Sequence, residues 1–249
     1  MLRWGILSTG TIAKKFAETL SQMKGEAILA AVASRNIEKA EVFANEHRAG
    51  AYFGSYKELA DSEDIDAVYV ATPNRFHFEH SMMCLNTGKH VLCEKPFTTN
   101  ANHARELYAA ARSKGLFIMD AIKNMHLPIY QKLRQLLDNG VIGDVRHIRA
   151  DYGFSSTGAR KDFKLDSAMG GGALLDVGVY NISFAAMIMG GNPSGIKAQL
   201  NISGSGTDDF SNVILEYSNQ RSASLSSSIG VVLPAESRYL RYKGQDTHS

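Results

Sequence analysis

Residues 2–13 read LRWGILSTGTIA, and the fold follows from how this stretch is parsed. Leu2 through Leu7 make an apolar run of strand length, and Ile12, Ala13, Phe16, Ala17 and Leu20 recur at helical spacing. The chain therefore opens strand, turn, helix. The turn, Ser8-Thr9-Gly10-Thr11-Ile12-Ala13, keeps the spacing G-x-G-x-x-A with serine in the first glycine's place. At such a junction the spacing makes a tight bend and lets the backbone at Gly10 come close to a pyrophosphate. It also turns the first helical N–H groups, at Thr11 and Ile12, toward the anion. Ser8 departs from the pattern, and an ordinary turn is the competing reading.

The same grammar repeats downstream. Residues 27–33, 65–71, 90–93 and 116–119 are apolar runs of strand length, and 40–47, 76–85 and 101–114 carry helical spacing between them. Ser55 stands three residues before Glu58, the spacing of a capping box for a short helix. Buried-type strands alternating with helices imply a parallel sheet covered on both faces, a Rossmann dinucleotide-binding domain over residues 1–122. After the second strand, where an acid would hold the ribose 2′-hydroxyl of NAD, the chain has Ser34-Arg35-Asn36. A hydroxyl beside a guanidinium suits a 2′-phosphate, so NADP is favoured and NAD is the alternative; a solvated surface arginine is the bland reading.

Beyond residue 122 the period changes. A helix over 128–138 ends at Gly140, which can take the left-handed cap conformation. Residues 196–202, 213–217 and 223–229 then alternate apolar and polar, with Asn219-Gln220 between the last two runs. Period-two alternation predicts an open, mostly antiparallel sheet in a second, α+β domain over 123–249.

Composition narrows the functional classes. A net charge of +2 with no basic block gives no case for nucleic acid. No apolar run reaches bilayer length and no signal-peptide pattern is evident, so no membrane partner and a cytoplasmic location are expected. Cys84 and Cys93 are too few for a disulfide framework or a cysteine metal site, and no carboxylate-histidine cluster has metal-ligand spacing.

Three motifs carry the chemistry: A-T-P-N-x-x-H at 71–77, G-K-H-V-L-C-E-K-P at 88–96, and G-G-G-A-L-L-D-V-G-V-Y-N-I at 170–182. From the residues alone, Lys95 follows a parallel strand where open α/β sheets bind ligands, and Asp176 and Tyr180 fall one turn apart on a helix. A surface charge pair and a structural Asp with a core Tyr are the competing readings. In this order the motifs resemble the Gfo/Idh/MocA oxidoreductase family, over residues 2 to about 235, and its dihydrodiol dehydrogenase and glucose-fructose oxidoreductase branch in particular.

That resemblance implies hydride transfer between a nicotinamide and a hydroxyl-bearing carbon of a sugar, polyol or cyclic diol. Thr72, Asn74 and His77 would line the dinucleotide near its nicotinamide end, and Glu94 and Lys95 would sit between cofactor and substrate. Lys95, Asp176 and Tyr180 would be catalytic. Proton exchange with the substrate hydroxyl falls to Tyr180 or Lys95; an ammonium about 4 Å from a phenol offers up to about 4 kcal/mol, comparable with the three pKa units separating tyrosine from neutrality. Asp176 would orient either the substrate hydroxyl or Lys95. Lys123, Asn124, His126, Tyr152, Arg160 and Lys161 are further pocket candidates. A homodimer through the open sheet face is also implied.

The departure lies at the end: relatives continue further, and residues 236–249 show no clear strand period, which suggests a truncated or altered-frame product. Two alternatives follow, an NAD-assisted glycoside-cleaving enzyme and a non-catalytic dinucleotide-binding regulator or truncated pseudoenzyme.

Overall fold

A computed structural model describes residues 1–156 and 164–241, with backbone alone for 235–241. The chain divides into two compact units, Met1–Ala121 and Ile122–Ser249. Each is built on its own sheet.

In the first unit, β1 (Leu2–Leu7), β2 (Ala27–Ala33), β3 (Ala51–Phe53), β4 (Ala67–Val70), β5 (His90–Cys93) and β6 (Ile118–Asp120) pair in the order 3-2-1-4-5-6, all parallel. The helices are α1 (Thr11–Gln22), α2 (Ile37–His47), α3 (Tyr56–Asp61), α4 (His77–Asn86) and α5 (Ala101–Ser113). Alternate residues of one strand feed opposite faces. Ile6 joins Ala13, Ala17, Leu20 and Phe43 under α1 and α2, while Leu7 joins Leu59, Leu85 and Leu107 under α3, α4 and α5. Both faces are covered, as the near-continuous apolar strands require. The Ser55 cap is present, accepting from the Glu58 N–H at 3.2 Å. β3 was not anticipated: it is a three-residue edge strand with no fully buried side chain, too short for a period.

The second unit begins with the turn Lys123–His126 and α6 (Pro128–Asp138). Its sheet comprises β7 (Val145–Gly153), β8 (Gly195–Ile202), β9 (Asp208–Tyr217), β10 (Arg221–Ser228) and β11 (Leu233–Arg241), in the order 11-7-10-9-8. Only β7 and β10 pair in parallel, so the sheet is mostly antiparallel, as the alternation predicts. Asn219 and Gln220 have φ of 61° and 57°, left-handed residues in the three-residue turn 218–220 that joins β9 to β10. β7 escaped the sequence reading because Arg146, Arg149 and Asp151 interrupt its apolar residues; only Ile148 and Ala150 mark its core face. The expectation for residues 236–249 is corrected in part. Through Arg241 the chain pairs antiparallel with β7, and an edge strand is specified by that backbone partner rather than by alternation; residues 242–249 lie outside the described residues.

Gly170, Gly171 and Gly172 lead into a wide helical turn, Leu174–Gly178, that runs on as α7 (Val179–Met189). Ala185 and Met189 of α7 pack on Ile148, Val213, Leu215 and Leu225 of the sheet. By composition and length alone the stretch Ser167–Met189 is long and apolar enough to cross a bilayer, although Asp176 interrupts it. Its helical part starts only at residue 173, about 26 Å at 1.5 Å per residue, and one side of it forms the core of this unit.

Candidate active site

The first βα junction is shaped by what glycine does and does not have to do. Ser8 holds φ at 98°, a conformation glycine adopts without cost, and its Oγ accepts the Gly10 N–H at 3.3 Å. Gly10 itself has φ −75° and ψ 177°, open to any residue. A Cβ there would meet only Ser8 Oγ, at 3.6 Å. Neither backbone nor packing therefore demands glycine at position 10, and its backbone is open to close approach from outside. Asn36, Ser55 and Asn100 cap α2, α3 and α5. Among the described residues no side chain caps α1, and its first turn holds no acid. These are the features that fit a dinucleotide pyrophosphate. Thr11 and the 41% exposed Ile12 flank the spot.

A cleft of about 680 Å³ opens at this point, lined by Ser8, Gly10, Ser34, Arg35, Lys39 and Tyr56 among others. Ser34 is buried at the end of β2, and its Oγ accepts the Asn36 N–H at 3.3 Å. Burial pushes the Tyr56 hydroxyl upward in pKa, and the nearby Arg35 guanidinium pulls it down by a lesser amount. The Tyr56 ring stands edge-on to His80, 4.8 Å between centroids, and His80 Nδ1 lies 3.0 Å from Thr72 Oγ1. Tyr56 and His80 were missed by sequence reasoning; the capping box placed Tyr56 at the first position of α3 but said nothing of its neighbours.

Thr72 and Asn74 follow β4, and Glu94 and Lys95 follow the adjacent β5, so the structure brings these four to neighbouring carboxyl ends of the sheet. Glu94 is not a loose partner for Lys95. One of its carboxylate oxygens accepts the hydroxyl of Tyr69, and the other accepts the Lys95 backbone N–H at 3.2 Å. The Lys95-Pro96 peptide bond is cis.

His77 requires a correction. It does not line a cleft: its side chain is fully buried, with Nδ1 2.7 Å from the Pro96 carbonyl and Nε2 2.8 Å from the Thr72 carbonyl. Burial holds its pKa below the ordinary imidazole range, against the two carbonyls and Glu94. It fastens the loops after β4 and β5 to each other. The motif spacing located this residue, but spacing cannot distinguish a ring facing a ligand from one facing the core.

In the second unit, Asp176 lies in the wide turn and Tyr180 four residues on, at the start of α7. The Tyr180 ring meets Tyr152 of β7 edge-on at 6.0 Å. Asp176 forms an ion pair with Lys164, and both side chains are largely buried. The start of the segment is capped from elsewhere in the chain: Asp208, the first residue of β9, accepts the Leu174 N–H at 2.7 Å. A Cβ on Gly172, where φ is 123°, would lie 2.3 Å from Asp208 Oδ1, and one on Gly171 would lie 2.4 Å from the Lys164 carbonyl oxygen. Two of the three glycines are thus explained by close approach. Lys164 and Asp208 are the residues sequence reasoning missed, since neither belongs to a motif. Lys123, Asn124 and His126 lie in the opening turn of this unit; Arg160 and Lys161 lie outside the described residues. Among the described residues no group of three or more His, Cys, Asp or Glu is placed to hold a metal ion. The thiols of Cys84 and Cys93 are buried and pushed up to about 12.

The comparisons with known proteins follow this division. Residues 2–121 match the model of the oxidoreductase family with an NAD-binding Rossmann fold, and residues 130–242 match the GFO/IDH/MocA C-terminal domain. Trans-1,2-dihydrobenzene-1,2-diol dehydrogenase of Xenopus laevis is 40% identical over 97% of this chain and 73% of its own length. The enzyme of the same name from Homo sapiens is 38% identical over 93% and 70%. Among solved structures, a 3-ketoreductase from Actinomadura kijaniata in complex with TDP-benzene and NADP superposes with a TM-score of 0.87 at 30% identity, over 96% of this chain and 73% of that one. Two model matches that between them span both units, and relatives at this identity, establish that the chain is a member of the Gfo/Idh/MocA oxidoreductase family.

Proposed function

We propose that this NAD(P)-dependent oxidoreductase prefers NADP and acts on a hydroxyl-bearing carbon of a cyclic diol, sugar or polyol, with Tyr180 as the proton carrier. The observation that supports the cofactor reading is a single cleft that opens at the uncapped, acid-free start of α1 and is lined also by Ser34 and Arg35. A guanidinium suits a 2′-phosphate, and no carboxylate directly follows β2 to select a free ribose hydroxyl, the carboxylates of this cleft being Glu38 and Glu46 on α2. Relatives named as dihydrodiol dehydrogenases, and a ketoreductase solved with NADP, support the same reading.

When bound, the nicotinamide supplies hydride acceptance or donation. The protein's own residues do the rest. The start of α1 and Gly10 hold the pyrophosphate, and Ser34 and Arg35 the 2′-phosphate. Glu94, fixed by Tyr69, sets the backbone at Lys95, whose ammonium favours the deprotonated state of an oxygen near it. Tyr180 takes the hydroxyl proton during oxidation and returns it during reduction, and Asp176 orients polar groups beside it.

The test is turnover of a panel of trans-dihydrodiols, sugars and polyols with NADP or NAD, followed by nicotinamide absorbance. Net reduction of NADP by a diol is expected, with Tyr180→Phe lowering kcat about 10²- to 10⁴-fold while NADPH still binds. Cofactor binding without turnover of any compound would favour a dinucleotide-binding regulator; full activity in Tyr180→Phe would transfer the proton role to Lys95.

A further inference from the structure

Tyr180 has to part with its proton while a carboxylate stands one turn before it. On a helix, residues four apart are neighbours, and an uncompensated negative charge at Asp176 would oppose a phenolate at Tyr180. The Lys164 ion pair bears directly on this. Its Nζ bridges to Asp176 Oδ2, with the two side chains 15% and 17% exposed, and lies 4.9 Å from the centroid of the Phe154 ring. The backbone is arranged around the same residue: the Lys164 carbonyl accepts the Gly172 N–H at 2.8 Å, and only glycine at 171 lets that carbonyl come so close. A largely buried pair of this kind is a poor device for stability alone, since desolvation offsets most of the attraction.

We propose that Lys164 is a positioning residue for the proton transfer, holding Asp176 and cancelling its charge so that Tyr180 can ionise near neutral pH. The inference rests on Tyr180 being the proton carrier. In the oxidation, the substrate O–H proton goes to the Tyr180 oxygen, the O–H electrons form the carbonyl, and the C–H hydride leaves to the bound nicotinamide, so that the alcohol is oxidised and the dinucleotide reduced. Among the described residues, the titratable groups seen against this helix are Tyr152 on β7, Asp208 and Tyr217 on β9, Arg221 on β10, which donates to the Met189 carbonyl, and Tyr130 on α6 beside Phe184, with Lys123 and His126 in the opening turn. The other charged groups of these strands are Arg146, His147, Arg149 and Asp151 on β7 and Asp209 and Glu216 on β9, while β10 also presents Ser227.

The experiment compares pH profiles of kcat/KM for diol oxidation in wild type, Lys164→Met, Lys164→Arg, Asp176→Asn and the double variant Lys164→Met/Asp176→Asn. An ultraviolet titration of Tyr180, taken as the difference from Tyr180→Phe, gives a readout independent of turnover. Lys164→Met is expected to move the limb belonging to Tyr180 upward by about one to two pH units, Lys164→Arg to restore it, and the neutral double variant to bring it back toward wild type. Should Lys164→Met fail to fold, Asp176→Asn tests the same charge from the other side and must move the limb downward. Rates lowered equally at every pH, with the limb and the titration unmoved, would overturn the proposal and leave Lys164 structural. Failure of the underlying reading looks different: Tyr180→Phe would then keep the wild-type rate and the same limb.

Discussion

At the start of α1, among the described residues, no side chain caps the first turn and no acid stands in it, whereas the helical segment beginning at residue 173 is closed by the carboxylate of Asp208, 2.7 Å from the Leu174 nitrogen. Gly10 leaves space that the protein does not fill, and Gly172 leaves space that Asp208 fills. Both helix starts offer the same unpaired N–H groups. The first leaves them without a side-chain cap, as the proposed pyrophosphate site requires; the second has the Leu174 N–H satisfied by Asp208, which ties down the segment carrying Asp176 and Tyr180.

The largest effect expected from breaking this contrast is at Gly10. Gly10→Ala should weaken NADPH binding at least tenfold, about 1.4 kcal/mol or more, with only a small loss of thermal stability because the new Cβ meets only Ser8 Oγ. Isothermal titration alongside a melting curve checks both halves. Asp208→Ala should do the reverse, lowering stability by about 1 to 2 kcal/mol with NADPH affinity unchanged; equal losses of affinity in the two variants would erase the distinction.

A finer comparison sets Asp208 against Asp66, which accepts the Arg3 backbone N–H at 2.8 Å and the Arg3 guanidinium. Those bonds lower the Asp66 pKa to about 2, whereas burial raises that of Asp208, against its backbone bonds. The pH dependence must then have opposite signs. Asp66 contributes stability that is present above the unfolded value near 4 and lost as pH falls toward 2. Asp208 binds its proton more tightly when folded, so ionising it costs stability as pH rises above about 4. Denaturant melts from pH 2 to 7 should therefore show Asp66→Asn losing ground to wild type as pH rises and Asp208→Asn gaining it. For the partly exposed Asp66 the difference at pH 7 is about 1 kcal/mol after solvent screening. Ser8→Gly is the smallest change expected, a gain of about 1 kcal/mol or less from relieving the positive φ, offset by loss of the bond to the Gly10 N–H.

How far the sequence could be read follows the same line. The parallel strands of the first unit were legible because both faces are buried, so that 2–7, 27–33 and 90–93 appear as apolar blocks. β7 was not, since a central strand carrying Arg146, Arg149 and Asp151 shows only Ile148 and Ala150 as core residues. Among the candidate site residues, Gly10, Arg35, Lys95, Asp176 and Tyr180 could be nominated from motifs and their place at strand and helix ends. His77 was found but misassigned, because burial of its ring depends on tertiary contacts with Pro96 and Thr72. Lys164 and Asp208 were invisible for a related reason: they reach Asp176 and Leu174 across 12 and 34 residues of chain, and no local pattern announces such partners.

The central claim is that the open start of α1 and Arg35, which line one cleft, together receive an NADP dinucleotide. Fluorescence titration of wild type and Arg35→Ala with NADPH and NADH tests it most directly. The account predicts tighter binding of NADPH by wild type, and in Arg35→Ala a loss of roughly tenfold or more for NADPH with NADH unchanged. Equal affinity of wild type for the two dinucleotides, or an unaltered NADPH affinity in Arg35→Ala, would contradict it.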